Sequence, residues 1–155
     1  MTNVLTEVRK AVIRRLETIT IANGYRTDLG LNVKTGWLNE VLDQTKVPPL
    51  FALLQKAPGK VPVRGTEGVI NPAGFFVMGL AKANLSEYED QLDDMELDLI
   101  QAFMPSPGIL PKNFPKGVTG IELGAPEQFP PGKGQSHAGV LIPLHVKTVI
   151  EVKNR

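Results

Sequence analysis

Cysteine is absent from this 155-residue chain, which excludes disulfides, thiolate metal sites and cysteine nucleophiles together. Histidine is scarce, with two residues left for metal or acid-base work. Charge of one sign is missing as well. Seventeen basic residues meet 16 acidic ones, so the chain lacks the global field of a dedicated nucleic-acid binder. No apolar run approaches the roughly 20 residues of a membrane span. The N-terminus lacks the basic-then-apolar pattern of a signal peptide, and the expected compartment is a cytoplasm. What is present suits one globular domain, residues 1–155: a chain 42% hydrophobic and long enough to bury roughly 70% of its unfolded surface.

The most informative stretch is the last. From Ala138 to Val152 the even positions read Ala138, Val140, Ile142, Leu144, Val146, Thr148, Ile150 and Val152, while the odd positions mix small, polar and charged groups. A period of two places one continuous apolar face on an extended chain. This predicts a long half-buried strand whose apolar face is covered by helices.

Two helices answer that need. Leu5, Val8, Val12, Leu16 and Ile19 recur at the helical period between Asn3 and Asn23, with Gly24 placed as a left-handed cap. The β-branched run from Thr18 to Ile21 is expected to loosen the last turn. Ser86 and Glu89 match a capping box, and Tyr88, Leu92, Met95, Leu99 and Phe103 mark one face of a helix ending near Met104. Its other side carries Glu87, Glu89, Asp90, Asp93, Asp94 and Asp98 and no Lys or Arg. The bland interpretation is a solvated acidic face. The sharper one is a face that meets basic groups of a neighbouring copy or lines a passage for a polyanion.

Between the helices, 50–55 and 75–81 are apolar runs of strand length expected to pair antiparallel, and Leu29, Leu31 and Val33 alternate as a short strand. The stretch Ala57 to Pro72 holds three prolines and three glycines with Lys60, Arg64 and Glu67. It is expected to project as a hairpin or arm. Loops rich in proline and glycine, about 105–117 and 124–136, flank a further short strand at 118–123 and carry Lys112, Lys116 and Lys133. Trp37 reads either as a large residue half buried at an edge or as an interface anchor.

Catalytic patterns are weak throughout. His137 and His145 stand eight apart on an extended segment, without the pairing of a helical zinc site. Gly132-Lys133-Gly134 fails as a phosphate loop, because the first glycine of that motif would fall on Glu127 and neither Ser nor Thr follows Lys133. Asp90 and Asp94 lie one turn apart, but nothing apolar surrounds them to split their acidities. Ser136-His137 lacks the setting of a nucleophile elbow. No catalytic residue, metal ligand or cofactor is expected.

In order, the first helix, the turn Asn23-Gly24-Tyr25-Arg26-Thr27-Asp28-Leu29-Gly30 with Val33 and Gly36, two middle strands, the second helix and a closing strand led in by a Pro/Gly loop resemble a known family. They resemble the tail terminator, or tail completion, proteins of long-tailed bacteriophages. The resemblance implies an α+β fold, a mixed and mainly antiparallel sheet with two main helices on one face. It implies a non-enzymatic virion protein forming a homo-hexameric ring that stops growth of the tail tube. Its partners would be copies of itself, the tail tube protein and the head-tail connector or neck protein. DNA would pass through the lumen without specific binding, and no membrane would be involved. Assembly would take place in the host cytoplasm, and the product would stand at the head-proximal end of the tail. The chain departs from the family in the length of its Pro/Gly loops.

On this basis Arg9, Arg14 and Arg15 of one subunit are expected to approach Asp94 and Asp98 of the next. Lys60, Arg64 and Glu67 form the arm that touches the tube, and Asp90, Asp93 and Asp94 face the lumen, where like charge would keep DNA from sticking. Two other classes compete: another neck, tube or baseplate subunit, and a small cytoplasmic ligand-binding domain or enzyme whose site the Pro/Gly loops would build.

Overall fold

The computed structural model describes residues 3–44, 46–66, 68–83, 88–104, 114–133 and 135–151. In chain order its elements are α1 (Val4–Glu17), β1 (Val33–Thr35), α2 (Leu38–Leu42), β2 (Leu50–Ala57), β3 (Val63–Arg64), β4 (Val69–Lys82), α3 (Tyr88–Phe103), β5 (Val118–Leu123), β6 (Glu127–Phe129) and β7 (His137–Ile150). Two 3₁₀ turns, Ile21–Asn23 and Leu29–Leu31, follow α1.

The two longest strands make the centre. β7 and β4 pair antiparallel over their whole length, from His137 opposite Lys82 to Ile150 opposite Val69. The alternation in β7 is realised as expected: Ala138, Val140, Ile142, Leu144 and Val146 are fully buried on the face that α1 and α3 cover. Each of the larger of these side chains contributes about 1.5–3 kcal/mol by leaving water. β2 joins the other side of β4, as the two middle apolar runs predict, and β1 lies parallel to β2 at the edge. The strand order β1-β2-β4-β7-β5, with β3 on β4 and β6 on β7, gives a mixed, mainly antiparallel sheet in an α+β fold.

Pro143 sits in a central strand, where its missing N–H is normally a fault. Here the fault is placed harmlessly. β5 ends at Leu123 opposite Leu144 and β6 begins at Glu127 opposite Leu141, so Pro143 falls at the gap between them. Its carbonyl points to that gap and accepts from Gly124 N at 2.8 Å. Backbone N and O of one residue point the same way in an antiparallel strand, so no bond to β4 is lost.

α1 begins at a built cap, Asn3, whose side chain accepts from Thr6 N at 2.9 Å. It stops at Glu17, earlier than the apolar period suggests, where the β-branched run starts. The chain then tightens into the 3₁₀ turn that Gly24 closes at φ 91°. Val8, Val12, Leu16 and Ile19 are buried as expected, while Leu5 remains 44% exposed. α3 buries Leu92, Met95, Leu99 and Phe103, as its periodicity requires. α2 covers the opposite face of the sheet through Val41, packed with Phe51, Leu53, Met78 and Leu80.

Two expectations change. The alternation at Leu29, Leu31 and Val33 does not make a strand at its start, because Gly30 N donates to Ile19 O at 2.7 Å and folds 29–31 against the end of α1. A Cβ on Gly30 would come within 2.6 Å of the Leu16 and Glu17 carbonyls, so only glycine permits that approach. The arm at 57–72 is also more tied down than a projecting hairpin. β3 pairs with the start of β4, whose residues from Val69 onward are already paired with β7. Ser86 of the capping box, Glu67, Glu87, Lys112 and Val152 lie outside the described residues.

Candidate functional site: two charged flanks

The first flank follows from one lysine in β2. Ala52 and Leu54 point up to the helices, and the period of two carries Lys56 to that same face just where β2 passes from under α1. Arg9 meets it from α1. Together they wall two adjoining cavities of about 390 and 220 Å³. The larger runs past Leu5, Thr6 and Ala73 to Phe75; the smaller ends at Thr35, Gly36 and Trp37. Neither lining contains an acidic residue. Trp37 is 54% exposed, which leaves its indole face open beside two cations.

The second flank is α3. Glu89, Asp90 and Asp93 are exposed along it, and Leu97 stands among the acids at 42% exposure. Gln128 of β6 donates to Asp93 at 2.9 Å and to Glu96 at 3.3 Å, fixing β6 beside the helix. Asp94 is 3.9 Å from Arg26, an exposed pair of the kind worth at most about 1 kcal/mol.

Asp98 does not belong to this face, contrary to the sequence expectation. It is fully buried and accepts three hydrogen bonds, from Arg26 N at 3.0 Å, Thr27 N at 2.8 Å and Thr27 Oγ1 at 2.6 Å. It cannot reach a neighbouring subunit. Its work is internal: a carboxylate on α3 satisfies the donors of the turn after α1. The turn is closed further by Asp28, which accepts from Ile21 N at 2.9 Å.

The other expected residues divide. Arg15 is half-buried, and its Nε donates to Ala102 O at 2.5 Å, tying α1 to α3 within one chain. Arg14 is exposed on α1. Lys60 reaches across the sheet to Glu122 on β5 at 2.8 Å. That ammonium, by hydrogen bond and then by charge, holds the Glu122 carboxyl below the usual glutamate range. Arg64 is exposed on β3. His137 is buried, with Nε2–H donating to the Pro48 carbonyl and Nδ1 hydrogen-bonded to Ser136 Oγ, each at 2.9 Å. It is a satisfied core histidine. Among the described residues no group of three or more His, Asp and Glu is arranged to hold a metal, and no helix is long and apolar enough to cross a membrane.

Sequence reasoning missed Lys56 and the cleft beside Trp37. The alternation Ala52, Leu54, Lys56 was the available signal, since it puts a cation at the end of a helix-facing apolar row.

No protein-family model matches the chain, and no curated protein matches it. Among solved structures it is similar to a chain of the virion of a native gene transfer agent (GTA) particle, with a TM-score of 0.65 and 10% identity over 97% of this chain and 100% of that one. At that identity the likeness establishes a shared fold.

Proposed function

We propose that the chain is a structural virion protein, the ring-forming subunit that caps a tail tube, ends its growth and offers the joining surface to the head connector. The observation that carries this reading is the end-to-end fold likeness to a chain of a virion particle. The two charged flanks support it. α1 packs by β1, and α3 lies over β4, β7 and β5; the cleft is walled by residues of α1, β2 and β4 and the acidic stripe is carried by α3, so the two are separate patches of one subunit. A closed ring uses two different patches of each subunit in this way.

In the ring, Arg9 is the cation offered to a neighbour; Arg14 is exposed on the same helix, and Arg15 is held by its own α3. Asp90, Asp93 and Asp94 are the carboxylates available to a neighbour or to the lumen. Arg64 and the β3–β4 turn form the tube-facing arm. The test is growth of tail tubes from their subunit protein with and without this chain. A terminator shortens the tubes and is found at one end. A chain that copolymerises along the tube, or leaves tube length unchanged, would make it another tail subunit.

A further inference from the structure

We infer that the cleft walled by Arg9 and Lys56 receives the acidic stripe of α3 from a second copy of this chain. The inference rests on the ring reading and names the contact that closes it.

Four observations converge on that occupant. Arg9 and Lys56 have no hydrogen-bond or ion-pair partner among the described residues, and they face a cleft without acids. Two like charges held side by side with no counter-charge favour an anionic partner. Asp90, Asp93, Asp94 and Leu97 stand at i, i+3, i+4 and i+7 of α3, one stripe about 10 Å long, the spacing by which a helix anchors in a groove. The stripe has a matching order: carboxylates first, then an exposed leucine. The cleft has cations at its waist and an exposed indole at one end. Finally, among the described residues no hydrogen bond or ion pair joins the stripe to the cleft within the chain, which leaves the contact to a second copy.

The docked arrangement sets Asp90 and Asp93 on Arg9 and Lys56 and packs Leu97 against Trp37. Asp93 keeps its Gln128 bond through Oδ1 and offers its second oxygen.

The test uses two reversed variants of the full chain, Arg9→Glu with Lys56→Glu, and Asp90→Lys with Asp93→Lys. Sedimentation velocity reads assembly, and circular dichroism checks that each folds. Each variant alone is expected to need at least about tenfold more protein to assemble than wild type, a factor that corresponds to about 1.4 kcal/mol. An equimolar mixture should assemble into alternating rings, because the reversed cleft of one now fits the reversed helix of the other. Carbodiimide coupling of wild type should join Lys56 to Asp90 or Asp93 between subunits. If wild type assembles while both variants assemble equally well alone, the cleft is not the contact and the ring reading stands. If wild type and mixture alike stay monomeric at all concentrations, the ring reading fails and takes this contact with it.

Discussion

Asp98 shows how one side chain can join two distant parts of the chain. A carboxylate accepting three bonds in a fully buried position is stabilising only while all its partners are present, since an unsatisfied buried donor costs about 1–3 kcal/mol. Asp98→Ala is therefore expected to lower stability by at least that amount, with the urea midpoint moving accordingly. Asp98→Asn, which turns one acceptor into a donor facing N–H groups, should be destabilising too. Asp93→Asn on the exposed side should stay within about 0.5 kcal/mol. Equal effects at the two positions would contradict the burial argument. The helical period already places Asp98 inside, three residues after Met95 and four before Ala102, both buried. Its charge outweighed its position in the sequence reading, because its partners Arg26 and Thr27 lie some 70 residues away and no local pattern announces them.

Glu122 makes a second residue-scale prediction. Its carboxyl is held low in the folded state by Lys60, so the stabilisation it brings is present above the ordinary glutamate range and fades as the pH falls through the depressed native value. Lys60→Met should move the Glu122 titration, followed by carboxyl NMR, back toward the ordinary range. A titration unchanged by that substitution would mean that Lys60 and Glu122 are not paired in solution.

Among the elements, β4 and β7 form the least replaceable unit, each being paired on both sides. Leu144→Ala, at a fully buried site on the helix-covered face, should cost about 2–5 kcal/mol. Lys147→Ala, exposed on the other face, should be close to neutral. Amide exchange should be slowest along the same two strands and faster in β3, which pairs on one side through two residues. Exchange in β3 as slow as in β7 would refute that ordering. These long elements were legible because period and length agreed: β7, α3 and β5 fall where the sequence puts them. The five-residue α2 was not, since it is shorter than two helical turns and carries too little periodicity to separate it from a loop. The strand expected from Leu29 starts instead at Val33, because the approach to α1 through Gly30 overrides local alternation.

For the whole molecule, the near-zero net charge conceals a separation that matters more than the sum. Basic groups gather around the α1–β2 cleft, and acids gather on α3. Composition cannot show this separation, because it depends on which helix lies over which half of the sheet. If, as proposed, the two complementary patches join copies head to tail, salt should weaken that association by screening partly exposed charges. Closure into a ring, as opposed to an open filament, is the central claim. It is tested most directly by measuring the mass of the purified protein by light scattering over a wide concentration range, with electron microscopy of the largest species. The expected result is a hexameric ring with a central hole that loosens as salt is raised. A compact dimer that persists unchanged across concentration and salt would contradict it.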